Sequence, residues 1–137
     1  MRAWICALLF LAGPLRAELL IESTEGRENA LPVAVVPFVA DGVQPEEDLG
    51  AIIAADLHRS GQFRPLPAED MLSRPGDGDE VIFRDFRVLG QEFLVVGRIG
   101  AAEEGRYRVS YTLYDVNRGT RLLAETYQPS AAQLRDV

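Results

Sequence analysis

Residues 31–38 read Leu-Pro-Val-Ala-Val-Val-Pro-Phe, an apolar run rich in valine that shows no polar alternation. Such a run is typical of a strand that is covered on both faces of its sheet. Pro37 is expected to end the strand, because proline has no N–H to donate to the hydrogen-bond ladder. This run is therefore the best candidate for a central strand, one with a neighbouring strand on each side.

The segment that follows predicts a helix beginning at Pro45. Proline suits the first turn of a helix, and the acids at 46–48 would meet the positive end of the helix dipole. Ser60 and Gly61 supply the stop, since glycine readily takes the left-handed conformation that ends a helix. The buried stripe of this helix is expected at Leu49, Ile52, Ile53 and Leu57, which recur at helical spacing.

The rest of the chain alternates between strand and helix patterns. We expect a brief strand at 63–66, a helical turn at 67–72, a loop at 74–79, a helical face formed by Val81, Ile82, Phe86 and Leu89, and strands at 93–99, 107–116 and 121–127. Residues 129–137 resemble the start of a helix that the chain does not complete. This order predicts an α/β fold, a mixed sheet of about five strands with helices packed on it.

The first 17 residues have the pattern of a secretory signal peptide. Arg2 precedes an apolar run of about ten residues, and small Ala17 closes the segment. A membrane anchor would need about 20 apolar residues, whereas this run is interrupted at 13–14 and at Arg16. We expect cleavage between Ala17 and Glu18, export to the periplasm and no membrane insertion after processing. Losing the two arginines would change the formal net charge from −7 to −9.

Residues 18–29 predict an arm and its linker, so that the folded domain would span 30–137. An apolar, strand-like run at 18–24 precedes a polar stretch at 25–29. Such a strand can add to the edge of a partner's sheet, or it can pair with this domain's own sheet, and both alternatives stay open. The candidate partner-binding residues are Glu18, Leu19, Leu20, Ile21, Glu22, Ser23 and Thr24.

The side chains offer little to catalysis or metal binding. Cys6 lies inside the apolar leader, and His58, the only histidine of the chain, is expected on the solvated side of a helix. The acids at 77–80 lack the further ligands of a calcium loop, so that an acidic surface turn is expected there. The glycines at 97 and 100 open no helix, as a phosphate-cradling loop would require. We predict no enzyme, no cofactor and no metal site.

The charge balance disfavours nucleic acid as a partner. The chain has 14 arginines, no lysine and 21 acidic residues, for a formal net charge of −7. A large phosphate-facing surface needs an excess of positive charge. We therefore expect protein partners and no nucleic acid.

Several segments, taken in order, form a pattern that runs through nearly all of the chain after residue 17. They are 31–38, Pro45-Glu46 with Asp48, 52–63, Leu89-Gly90, 94–97, 107–115 and 133–135. In sequence and spacing these segments resemble the N-terminal domain of the TolB family.

The resemblance implies an α/β domain similar to the anticodon-binding-domain fold of some tRNA synthetases, without the nucleic-acid role of that fold. It also implies a periplasmic adaptor of the Tol-Pal system, which supports envelope integrity and outer-membrane constriction at division. In the family the extreme N-terminal segment, residues 18–24 here, engages TolA of the inner membrane. A following β-propeller binds the lipoprotein Pal of the outer membrane.

Two departures accompany this resemblance. His58 stands where the family usually has arginine, and the chain ends within the helix that leads into the propeller. Only the TolA-facing part is therefore expected here.

Two other functions are weighed against the adaptor. A free-standing periplasmic accessory domain of an outer-membrane lipoprotein or secretion assembly often has a similar Val-Val-Pro-Phe strand, but the chain lacks a lipid-anchor cysteine after its leader. A small-ligand binding module would need a concave polar pocket, which the sequence does not indicate.

Overall fold

The computed structural model describes residues 29–134. The chain divides into two units, residues 1–30 and 31–137, and the elements described below belong to the second. The predicted signal segment, its cleavage point and the arm at 18–24 lie outside the described residues. In chain order the elements are β1 Leu31–Val35, β2 Val39–Asp41, α1 Leu49–Arg59, β3 Phe63–Pro65, α2 Phe83–Arg87, β4 Phe93–Ala101, β5 Tyr107–Asp115 and β6 Thr120–Tyr127, with short 3-10 turns at Ala68–Asp70 and Glu103–Gly105.

The strands form one mixed sheet, which confirms the α/β prediction. Its order is β3-β1-β4-β5-β6, and β2 pairs with β4 beside this path. Strand β1 is parallel to both β3 and β4, whereas β4, β5 and β6 run antiparallel to one another. The sheet thus has six strands where about five were expected. The additional strand is β2, whose three residues are too few to show a period in the sequence.

The run at 31–38 supplies an interior strand, as predicted, since β1 pairs with β3 on one side and β4 on the other. Val33 and Ala34 point to opposite faces of the sheet, and both are buried. The strand ends at Val35, two residues before Pro37. Val36 still donates its N–H to the Val95 carbonyl at 3.0 Å, so that β-type pairing extends to the residue before the proline.

The first helix begins later than its sequence predicts. It starts at Leu49 and not at Pro45, and its first turn holds no acid. Asp48 is instead the N-cap, and its Oδ1 accepts hydrogen bonds from the N–H groups of Gly50 at 3.0 Å and Phe38 at 3.1 Å. The prediction failed because a capping carboxylate satisfies exposed backbone donors more directly than a dipole interaction does. The predicted stop at Ser60 and Gly61 is confirmed.

The second helix is shorter than the predicted face at 80–89. Only Phe83–Arg87 are helical, and Ile82, assigned to the buried stripe, is 49% exposed. Phe83 takes its place in the core, where its ring meets the Tyr114 ring edge-on at a centroid distance of 5.3 Å. Phe86 is fully buried, as the pattern predicts. Five helical residues carry too little periodicity to fix the buried face from sequence.

A hydrophobic layer covers each face of the sheet. On the α2 side, Phe86 packs with Leu94 and Val96, among others. On the α1 side, alternate residues of the same strands, such as Val95, pack with Ile53 and other side chains of the helix. Because α1 contacts mainly β1 and β3, the α1 side of β5 and β6 has less cover. This uneven cover leaves a groove on the α1 side of the sheet.

Candidate interaction surface

A groove of about 420 Å³ lies on the α1 side of the sheet. Its walls are side chains of α1 and of the facing strands, and they are almost entirely apolar. The lining residues are Leu31, Val33, Phe38, Leu49, Ile52, Ile53, Leu57, Phe63, Phe93, Val95, Val109, Tyr111, Leu113, Leu123 and Leu134. This groove is therefore not the polar pocket that a small-ligand module would need.

Alternation along β5 creates one wall of the groove. Val109, Tyr111 and Leu113 point to the α1 side, as the period-two pattern predicts, and Leu123 of β6 lies opposite Leu113. Leu123 remains 43% exposed, because α1 lies over β1 and β3 and does not reach this edge. The groove thus opens toward β6.

Residues 130–134 close part of the groove from the other end. Gln133 Oε1 accepts hydrogen bonds from the Ser130 N–H and hydroxyl, each at 3.2 Å. The Gln133 side chain thus reaches back to the Ser130 N–H, which is one half of a capping box, and the Gln133 N–H donates to the Ser130 carbonyl at 3.1 Å. The turn packs Leu134 against the cluster of Leu49, Ile99 and Val109. Where a helix was predicted to start near 129, residues 131–133 form a turn and Leu134 has 3-10 conformation, and no α-helix is found as far as Leu134.

Strand β6 is the outermost strand on one side of the sheet. All eight of its residues are exposed, and among the described residues it pairs with β5 alone. The Tyr107 N–H donates to the Pro129 carbonyl at 2.9 Å. Antiparallel pairing alternates from there, so that Glu125 and Tyr127 direct their backbone groups to β5. Ala124 and Thr126 then present their N–H and C=O groups at the outer edge.

Two tyrosines sit at the junction of β5 and β6. The rings of Tyr111 and Tyr127 stack with their centroids 6.1 Å apart. Hydrogen bonding to Tyr127 and burial, together with the charges of Tyr127 and Glu125, raise the pKa of Tyr111 to about 12. The Tyr111 hydroxyl therefore stays neutral at physiological pH, and the stacked rings add a side-chain contact between β5 and β6.

An ion-pair cluster lies on the opposite face, around Arg98. Its guanidinium contacts Asp41 Oδ2 and Asp79 Oδ1, each at 2.9 Å, and its Nε donates to the Asp77 carbonyl at 2.8 Å. Hydrogen bonding to Asp41 raises the pKa of Arg98 above its ordinary value. The Thr112 hydroxyl lies 2.6 Å from Asp77 Oδ1. The acidic turn is thus held to the sheet by an arginine and a hydroxyl, which gives its carboxylates a structural role.

Two other residues that the sequence analysis considered, His58 and Gly97, lie outside the groove. His58 is exposed in the last turn of α1. Gly97 lies within β4, where the Phe38 ring packs against its backbone. Among residues 29–134, no group of three metal-ligating side chains comes together and no helix is long and apolar enough to cross a membrane.

Sequence reasoning missed the groove and the β6 edge. The available signal was the apolar face of β5, which is longer than one 11-residue helix can cover.

Comparison with known proteins places the chain in a family. The model of the TolB amino-terminal domain matches residues 19–122. The Tol-Pal system protein TolB of Alcanivorax borkumensis is 58% identical over 123 residues, which are 89% of this chain and 28% of the relative. The chain spans only 28 to 32% of the length of the curated relatives that it matches here.

Solved structures agree with the fold. TolB from Acinetobacter baumannii superposes with a TM-score of 0.64 at 29% identity, covering 77% of this chain and 25% of that protein. Lipoprotein GNA1162 from Neisseria meningitidis superposes with a TM-score of 0.55 at 16% identity, covering 72% of this chain and 79% of that one. The second likeness is one of fold alone.

Proposed function

We propose, since the chain belongs to the TolB amino-terminal domain family, that it is a non-enzymatic periplasmic adaptor of the Tol-Pal cell-envelope system. The observation that carries this proposal is the family match across residues 19–122, together with 58% identity to a Tol-Pal system protein. In this role the chain contributes to envelope integrity and to outer-membrane constriction at division.

The proposed organisation has three parts. Residues 1–17 are a signal peptide that is removed between Ala17 and Glu18. Residues 18–29 are the partner-binding arm with its linker, and residues 30–137 are the α/β domain that carries the arm. The family match begins at residue 19, immediately after the proposed cleavage point, which supports this division.

The proposed partner of the arm is TolA of the inner membrane. The run Leu19-Leu20-Ile21 between Glu18 and Glu22 suits strand addition, in which main-chain hydrogen bonds supply affinity and alternate side chains supply register. The link to Pal of the outer membrane is proposed for the longer relatives, of which this chain spans 28 to 32%.

Calorimetric titration of the processed chain with the TolA C-terminal domain tests the arm. Deletion of residues 18–24 is expected to abolish binding and to leave the urea midpoint unchanged, because strands β1, β4 and β5 are untouched. Unchanged affinity in the deletion would refute the proposal. A deletion that unfolds the domain would favour the alternative in which residues 18–24 pair with the sheet of the domain.

Two point variants separate backbone from side-chain effects. Leu20→Pro removes a ladder donor and is expected to weaken TolA binding nearly as much as the deletion does. Glu22→Ala is the matched control, since a solvent-exposed charge contributes only about 0 to 1 kcal/mol. Equal losses in the two variants would indicate that binding does not depend on backbone pairing.

A further inference from the structure

Strand β6 is an acceptor edge, and we propose that it receives residues 18–24 of a second copy of this chain. The inference rests on the proposed role of residues 18–24 as a partner-binding strand. Beyond that role, the inference names the surface that accepts the strand and the register in which it pairs. It also implies that a second copy of this chain competes with TolA for the strand.

Among residues 29–134, no strand pairs with the outer edge of β6. The pairing of β5 with β6 leaves the N–H and C=O groups of Ala124 and Thr126 on the outer side, and every residue of β6 is exposed. A long exposed edge is a template for strand addition unless charge, proline or a bulge protects it. Here the ladder is irregular only where Leu113 and Tyr114 meet β6, at its first residues, which leaves the stretch from Leu123 onward regular.

The two faces of this edge differ in chemistry. On the α1 side, Leu123 lies at the mouth of the apolar groove and is 43% exposed. On the α2 side, Arg121 lies opposite Tyr114, which packs in the α2-side core. Arg121 is exposed, and none of the three ion pairs found within residues 29–134 involves it. Glu125 also lies on the α1 side, opposite Tyr111, and Ala124 and Thr126 lie on the α2 side. The match to an incoming strand therefore rests on an apolar residue beside Leu123 and an acidic residue beside Arg121.

Residues 18–24 match strand β6 in length and provide an apolar residue for one of its faces and an acidic residue for the other. Their seven residues compare with the eight of β6. Alternation puts Leu19 and Ile21 on one side, and Glu18, Leu20 and Glu22 on the other. An antiparallel register with Ile21 opposite Leu123 places Leu20 opposite Ala124 and directs Glu22 to the side of Arg121. Reciprocal exchange of two such strands closes a two-fold dimer.

This homotypic pairing uses the same residues that the proposed function assigns to TolA. A strand seated on β6 of a second copy is not available to another partner. Self-association and TolA binding are therefore expected to compete, so that a higher chain concentration lowers the apparent affinity for TolA.

A labelled peptide with the sequence of residues 18–24 tests the edge directly. Its binding to the processed chain that lacks these residues is followed by fluorescence anisotropy. Ala124→Pro removes the outward N–H at a position where an edge strand tolerates proline, and is expected to weaken binding about tenfold. Ala124→Val keeps the N–H and is expected to bind like the unaltered edge. Equal affinity for the Pro and Val variants overturns the proposal.

A charge exchange provides a test that does not depend on proline. Arg121→Glu is expected to weaken binding of the peptide, and the peptide with Glu22→Arg is expected to restore it. Far-ultraviolet circular dichroism verifies that both chains are folded. A restored affinity supports the register, whereas a peptide that binds Arg121→Glu and the unaltered chain equally well overturns it.

Sedimentation equilibrium of the processed chain tests the second copy. The average molar mass is expected to rise with concentration toward twice that of the monomer. The Ala124→Pro variant is expected to keep the molar mass of a monomer. TolA titration of that variant, whose arm is intact, separates the two proposals. A monomer at every concentration that still binds TolA overturns this inference and leaves the proposed function standing. Self-association that persists after deletion of residues 18–24 would mean that another segment, and not the arm, joins the two copies, and it also overturns the inference.

Discussion

At the scale of single residues, Gly97 shows how one missing side chain shapes the core. A Cβ added there would overlap the ring of Phe38, which packs on the backbone of β4. The sequence signals a glycine in a strand but not what approaches it, because Phe38 reaches Gly97 only through the fold. The glycine makes room for an aromatic ring of the core and is not part of a phosphate loop.

Gly97→Ala is expected to destabilise the fold. Overpacking of a dense core costs about 1 to 3 kcal/mol, since side chains must leave their preferred rotamers. Urea denaturation measures the change in the free energy of unfolding. Gly100→Ala is the matched control in the same strand, because its Cβ would lie 3.8 Å from the nearest atom, the Asp41 carbonyl oxygen. Equal midpoints for the two variants would contradict the packing argument.

Tyr111 gives a residue-scale prediction about pH. Its pKa is raised from 10 to about 12, first by hydrogen bonding to Tyr127 and then by burial. A folded-state pKa above the unfolded value stabilises the fold fully below pH 10, and this contribution is lost as the pH rises through about 12. Tyr127→Phe is expected to lower the pKa of Tyr111. A pH titration followed by the absorbance of tyrosinate measures this change. Tyr107→Phe, which leaves the pair intact, serves as the control, and identical titrations would count against the pairing.

At the scale of elements, the long patterns were predictable, whereas among the short elements β3 was predictable but β2 and the bounds of α2 were not. The nine residues of β5 alternate clearly enough to fix both the strand and its buried face. The central strand was predictable from its unbroken apolar run. The three residues of β2 and the five of α2 carry too little periodicity, so that tertiary packing decides their conformation. The start of α1 was misplaced because an acidic cap and an acidic first turn look alike in sequence.

Asp48→Ala tests which acid begins α1. Asp48 Oδ1 accepts from the N–H groups of both Gly50 and Phe38, so its loss leaves two donors unsatisfied. Loss of an N-cap typically costs about 1 kcal/mol. The thermal midpoint is expected to fall, and Glu46→Ala is expected to leave it nearly unchanged, because Glu46 precedes the helix. A larger effect at Glu46 would restore the dipole explanation and contradict the capping one.

At the scale of the whole molecule, the sheet was predictable, but the surface that it exposes was not. Strand patterns indicate which residues point to one face. They do not indicate how much of that face a helix covers, because cover depends on where the helix crosses the sheet. Helix α1 contacts mainly β1 and β3, which leaves the groove beside β5 open, and no strand within residues 29–134 pairs with the outer edge of β6. The groove and the β6 edge, the edge being the surface that we propose receives a strand, thus arise from tertiary arrangement.

Leu134 tests whether the turn at 130–134 helps to close the groove. Its side chain packs against Leu49, Ile99 and Val109, so that Leu134→Ala removes apolar contact from the groove wall. We expect a loss of about 1 kcal/mol for this partly buried side chain, together with stronger fluorescence from an apolar dye that enters the opened groove. Leu122→Ala is the matched control, because Leu122 is 52% exposed on β6 and does not line the groove. Its unfolding free energy should change by less than about 0.5 kcal/mol, with no change in dye fluorescence. Equal effects of the two substitutions would mean that the turn contributes no cover and that the groove is equally open without Leu134.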